Sequence, residues 1–138
     1  MSANGMTTAA AILWAALHVH PAGAQMAADV QFEPGNYGTM LSGTVVGQEY
    51  FDYRLDAKAG QELFAELTVT GTNGNGTAYF NILPPGSDGV AIYNGSTYGN
   101  STTVELPEDG TYTIRVYLMG NDADTGKTVG YDLDVSIQ

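Results

Sequence analysis

Along three stretches of this 138-residue chain, apolar and polar side chains alternate at every second residue. Phe51, Tyr53, Leu55 and Ala57 interleave with Tyr50, Asp52, Arg54 and Asp56. Tyr112, Ile114, Val116 and Leu118 interleave with Thr111, Thr113, Arg115 and Tyr117, and Tyr131, Leu133, Val135 and Ile137 with Asp132, Asp134 and Ser136. A period of two collects one set of side chains on one face of a β-strand, whereas a helix would scatter them around its axis. Less regular apolar runs at Val30 to Phe32, Met40 to Val46, Glu62 to Val69, Tyr79 to Leu83, Val90 to Tyr93 and Thr102 to Leu106 add further candidate strands. Between them stand Asn73-Gly74-Asn75-Gly76, Pro84-Pro85-Gly86-Ser87-Asp88-Gly89 and Pro107-Glu108-Asp109-Gly110, whose residues favour turn dihedrals. No ten-residue segment after residue 25 carries a helical period. The pattern predicts an all-β fold, a single antiparallel β-sandwich of about eight or nine short strands.

Residues 1–24 are of another kind. Ala9 to Leu17 is a short apolar run, and Ala22-Gly23-Ala24 before Gln25 has the small-x-small form cleaved by signal peptidase. We expect a signal peptide over 1–24, cleavage near Ala24, and one β-sandwich binding domain over 25–138 in the periplasm or medium. The apolar run falls short of the roughly 20 residues that span a bilayer, so no membrane insertion is expected.

His18, His20 and Trp14 all lie in that leading segment, and the chain has no Cys. Residues 25–138 therefore offer no Ser-His-Asp or Cys-His machinery, no His- or Cys-ligated transition metal and no disulfide. Every charged residue lies in the same part, which carries the net charge of −11. Such a surface repels nucleic acid, whose binding needs Lys and Arg on phosphates; it would attract cationic partners, although keeping the protein soluble is the commoner reason for such charge. The expected function is binding, with no catalytic residue and no cofactor.

The longest connection, Met119 to Gly130, joins two of the best-patterned strands. At that length it is either a mobile excursion or a presented binding element. Its Asn121, Asp122 and Asp124 can offer acceptors to a cationic partner or to Ca²⁺. Gly126 stands where a third calcium ligand belongs, and no Glu occupies the twelfth position, so no metal is assigned. Asp132 and Asp134 share a strand face and, with Asp52 or Asp56, could make a glycosidase-like carboxylate pair, but the solvated face of a sheet is the better reading. Among nine tyrosines, Tyr50, Tyr93, Tyr98 and Tyr117 are candidates for an amphipathic contact surface. Arg115, on the face of Tyr117, is expected to pair with a neighbouring Asp as an exposed ion pair contributing about 0–1 kcal/mol. The Asn-x-Ser/Thr triplets at Asn75, Asn94 and Asn100 read as turns.

Three segments carry a family resemblance: Phe51-Asp52-Tyr53-Arg54-Leu55-Asp56-Ala57-Lys58-Ala59-Gly60-Gln61, Tyr79-Phe80-Asn81-Ile82-Leu83-Pro84-Pro85-Gly86-Ser87-Asp88, and Leu106 through Met119 with its Gly-Thr-Tyr-Thr-Ile-Arg-Val core. They resemble the bacterial periplasmic inhibitors of goose-type (g-type) lysozyme and, more broadly, the pre-peptidase C-terminal (PPC-like) β-sandwich domains. The first resemblance implies a protein that binds a g-type lysozyme, or another cationic cell-wall hydrolase, and blocks its peptidoglycan cleft. It also implies contacts from a Tyr before the aromatic strand and from two Arg in the long loop. Those positions are Gln48, Gly120 and Asp124 here, with Asn121, Asp122 and Ala123 retained between the last two. The expected partner-binding set is Gln48, Tyr50, Tyr117, Gly120, Asn121, Asp122, Asp124 and Lys127. The second resemblance implies an alternative, a non-catalytic module for glycan, matrix or another envelope protein.

Overall fold

The computed structural model describes residues 26–138, so the segment assigned to export lies outside the described residues. Nine strands form two sheets. The first, in the order β1-β3-β8-β5-β6, contains Met26–Asp29, Tyr50–Ala57, Gly110–Leu118, Ala78–Leu83 and Tyr93–Asn94. The second, in the order β2-β9-β4-β7, contains Gly38–Val46, Thr128–Ile137, Glu62–Thr72 and Ser101–Glu105. Two short helical turns, α1 (Gly95–Tyr98) and α2 (Gly120–Asp124), punctuate the chain.

The alternating sequence faces become the two faces of each sheet. Tyr53, Leu55, Phe80, Ile82, Ile114 and Val116 of the first sheet meet Leu63, Ala65, Val129, Leu133 and Val135 of the second in one buried core. Burying such side chains contributes about 1.5–3 kcal/mol each, the main term holding a domain that has no cysteine. Three details depart from the sequence reading. The first strand is Met26–Asp29 and not Val30 to Phe32, and it pairs with β3 in parallel while the other ladders are antiparallel. The chain leaves β1 for the opposite sheet and returns beside it as β3. The Val90 to Tyr93 strand shrinks to Tyr93–Asn94, because Val90 is 81% exposed and lies in a segment folded over the sheet. Within that segment Ile92 N donates to Ile82 O.

Two tyrosines give the core its polar content. The hydroxyls of Tyr53 on β3 and Tyr131 on β9 meet at 2.7 Å between the sheets. The bulk of Tyr131 needs Gly43 opposite it on β2, where an added Cβ would come within 2.8 Å of the Tyr131 ring. Burial, first among the causes, raises the pKa of both hydroxyls above the ordinary tyrosine value of 10.0. The raised values mean that this contribution is intact below pH 10.0 and is lost as pH climbs above it, where the unfolded chain ionises first. We expect Tyr53→Phe and Tyr131→Phe each to cost about 1–2 kcal/mol in urea unfolding, since each leaves the other hydroxyl buried without its partner. The double variant should be more stable than the sum of the singles predicts; strict additivity would show that the two hydroxyls are not coupled.

Tyr112 closes the β7–β8 corner. Its hydroxyl donates to the Glu108 carbonyl at 2.7 Å and accepts from the Glu108 amide at 3.0 Å. The arrangement is that of a tyrosine corner, which ties a strand to the turn before it.

Candidate functional site

The connection between β8 and β9 runs from Met119 to Lys127, with α2 inside it. Its centre is Asp122, which is fully buried and not the solvent-facing acceptor expected from the sequence. Asp122 Oδ1 accepts from the Asn75 amide at 2.8 Å, and Oδ2 accepts from the Thr77 amide at 2.9 Å. Thr77 Oγ1 lies 3.0 Å from Oδ2 and 2.7 Å from the Met119 carbonyl. The amide of Asn75, then that of Thr77, hold the Asp122 pKa below the ordinary carboxylate value of 3.8. Asn75 lies in the Asn-Gly-Asn-Gly turn and Thr77 directly follows it. Gly74 allows the approach, because a Cβ there would collide with Asp122 Oδ1 and come within 2.7 Å of Lys127 Cγ.

Two further ties fix the loop to the β2–β3 turn. Gly47, at φ 58°, donates its amide to the Lys127 carbonyl at 2.9 Å, and Gln48 Nε2 donates to Asp124 Oδ1 at 3.3 Å. Asn121 turns its carbonyl inward, accepting from Thr125 N at 2.9 Å and Thr125 Oγ1 at 2.6 Å. The connection is therefore tied to both the β4–β5 and the β2–β3 turns. Gln48, Gly120, Asn121 and Asp124 lie exposed along its rim, and Lys127 is half-buried with its stem against Gly74.

Beside this rim lies the outer face of the first sheet. Strand register places Tyr50, Tyr117 and Tyr79 in one row across β3, β8 and β5, and Asp52, Arg115, Asn81 and Asn94 in the next row. Tyr50 and Tyr117 thus join Gln48 around one depression of about 450 Å³, and Gly120 lines a neighbouring one of about 510 Å³. Met119, 44% exposed, borders both. Tyr93 and Tyr98 pack together outside these linings, with ring centroids 6.1 Å apart.

The Arg115 pair is nearly buried on its Asp52 side and not the exposed ion pair expected from the sequence. Arg115 Nε and Nη2 hold the two oxygens of Asp52 at 2.8 and 3.0 Å, and Nη1 donates to the Asp88 carbonyl at 3.2 Å. The Asp52 side chain is 4% exposed, and the guanidinium lies 4.0 Å above the Tyr50 ring. The hydrogen bonds to Asp52 are the leading cause of a raised Arg115 pKa. The carboxylate pair considered from the sequence does not assemble. Asp132 and Asp134 lie on the outer face of the second sheet, where Ser42 Oγ donates to Asp132 at 2.6 Å, whereas Asp52 and Asp56 lie on the outer face of the first. On the second sheet Glu66 faces Asp134, and Glu62 faces Glu105, giving an acidic surface. Among the described residues, no group of three or more His, Cys, Asp or Glu is placed to hold a metal ion, and Asp122 has both oxygens engaged.

No family model matches the chain. An inhibitor of g-type lysozyme from Escherichia coli strain K12 is 30% identical over 112 residues, 80% of each protein. The crystal structure of a periplasmic inhibitor of g-type lysozyme from Aeromonas hydrophila is 33% identical and superimposes with a TM-score of 0.72, covering 83% of this chain and 97% of that one. The pre-peptidase C-terminal domain of a Bacillus anthracis collagenase shares the fold at 14% identity, with a TM-score of 0.52 over 88% of this chain and 100% of that one.

Proposed function

The chain belongs to the family of periplasmic inhibitors of g-type lysozyme, and from that premise we propose that it binds a g-type lysozyme in the periplasm and blocks the peptidoglycan cleft without turnover of its own. The observation that carries this reading is the stapled β8–β9 loop beside the tyrosine row. A rim held from below by Asp122 and from the side by Gly47 can enter a cleft while ordering few residues, which keeps the entropic cost of binding low. The proposed contact set is Gln48, Tyr50, Tyr117, Gly120, Asn121, Asp124 and Lys127; Asp122 acts beneath it as the anchor. The net charge of −11 favours encounter with a basic hydrolase at low salt.

Two rim positions test the orientation. The resemblance places Arg where this chain has Gly120 and Asp124, and Arg can form bidentate pairs with cleft carboxylates. Gly120 is at φ 66°, so an Arg there would carry about 1–2 kcal/mol of backbone strain. Asp124 is exposed, and its side chain accepts the long hydrogen bond from Gln48. Asp124→Arg should therefore lower the concentration needed for half-inhibition of g-type lysozyme by about tenfold, the equivalent of about 1.4 kcal/mol. A loss of inhibition of the same size would show that Asp124 makes the contact as a carboxylate, with the rim meeting a basic surface instead of the cleft.

A further inference from the structure

Beside the loop rim, the tyrosine-lined trough also has the chemistry of a small-ligand site. Its one strong cation, Arg115, is already neutralised by Asp52, so within a chain of net charge −11 the floor of the trough is close to neutral. The acceptors facing it are also engaged. Asn81 Oδ1 accepts from the Gly95 amide at 3.1 Å and from the Tyr117 hydroxyl at 2.8 Å. Because a backbone amide can only donate, that bond fixes the orientation of the Asn81 carboxamide and leaves Nδ2 as a donor with no partner among the described residues. Asn94 Oδ1 lies 3.0 Å from Ser96 Oγ, a hydroxyl that can donate or accept, so this contact does not fix the orientation of its carboxamide.

The trough therefore offers tilted aromatic rings, with the centroids of Tyr79 and Tyr117 6.3 Å apart, together with amide N–H donors, hydroxyls and a single rim carboxylate, Glu49. Alternating apolar ring faces and neutral hydrogen-bonding groups match a pyranose, which has apolar C–H faces and an equatorial belt of hydroxyl or acetamido oxygens. The volumes of the two depressions, about 450 and 510 Å³, fall in the range that small ligands occupy. We propose that this face of the first sheet is a saccharide-binding site for neutral pyranose chains, with Tyr79 and Tyr117 as stacking surfaces and Asn81 Nδ2 as a donor.

Saccharide binding is separable from inhibition, because it is read first without lysozyme. Chitotetraose titrated into the ¹⁵N-labelled protein should produce saturable shifts in the side-chain amides of Asn81 and Asn94 and in the backbone of β5 and β8. Tyr79→Ala should weaken the binding at least about tenfold. Tyr98→Ala, at a tyrosine 74% exposed outside the trough, should leave it unchanged. The wild-type shift map decides the matter even where Tyr79→Ala fails to fold. Absence of saturable shifts, shifts on the second sheet, or equal losses in the two variants would overturn the proposal. It would also be overturned if the trough residues responded to a g-type lysozyme but not to the saccharide, since the trough would then belong to the hydrolase interface.

Discussion

Asp122→Asn should destabilise the domain by several degrees in thermal midpoint and reduce inhibition of g-type lysozyme at least tenfold, although the substitution removes only one oxygen and one charge. The reason lies in the donor set. Both carboxylate oxygens face backbone amides, those of Asn75 and Thr77. An asparagine presents an NH₂ group to one of those amides, so a donor meets a donor in a site with no solvent access. The loop then loses its tie to the β4–β5 turn, and the rim that carries Gly120, Asn121 and Asp124 must be ordered on binding instead of beforehand. Acid gives a second readout. Because the folded-state pKa of Asp122 is depressed below 3.8, its contribution is present above that pH and disappears as pH falls through the depressed value. The stability difference between wild type and Asp122→Asn, measured by thermal unfolding, should be constant near neutrality and shrink below pH 3.8. A variant as stable and as inhibitory as the wild type would remove the anchor from this account.

The second large effect is expected at Arg115. Arg115→Met keeps much of the apolar stem over Tyr50 but strips from the nearly buried Asp52 both of its guanidinium bonds. Removing one partner of a buried pair costs about 3 kcal/mol, or roughly 10 °C in midpoint for a domain of this size. Following it with Asp52→Asn should restore part of the loss, because the uncompensated charge goes with it. A single-variant loss below about 0.5 kcal/mol would mean that the pair behaves as an ordinary surface ion pair.

What the sequence made legible follows from the range of each interaction. Period-two alternation is a local property, so β3, β8 and β9 are readable residue by residue, and their inward sets form the core. The parallel partner of β3 is not readable, since Met26–Asp29 is four residues long and its ladder forms only after the chain has visited the other sheet. The site shows the same division. Gln48, Gly120, Asn121 and Asp124 are exposed, as loop residues usually are. Asp122 looked identical to Asp124 in sequence, yet its partners are backbone amides 45 and 47 positions away, and amides carry no residue identity to read. A hint was present in the Asn-Gly-Asn-Gly run, whose glycines leave amides accessible to an anion or carboxylate. The burial of the Arg115–Asp52 pair was hidden for a related reason. The residues are cross-strand neighbours, but the Asp88 carbonyl that also holds the guanidinium comes from a turn folded over the sheet.

The central claim is that the domain inhibits a g-type lysozyme by stoichiometric binding. It is tested most directly by titrating the purified domain, residues 25–138, into a turbidity assay of peptidoglycan lysis by a g-type lysozyme, with an unrelated acidic β-sandwich of similar charge as control. Inhibition should saturate at a fixed molar ratio, with a half-point at about micromolar concentration or below, and should survive salt well enough to exclude charge alone. Undiminished lysis at a hundredfold molar excess of the domain, or equal inhibition by the acidic control, would contradict it.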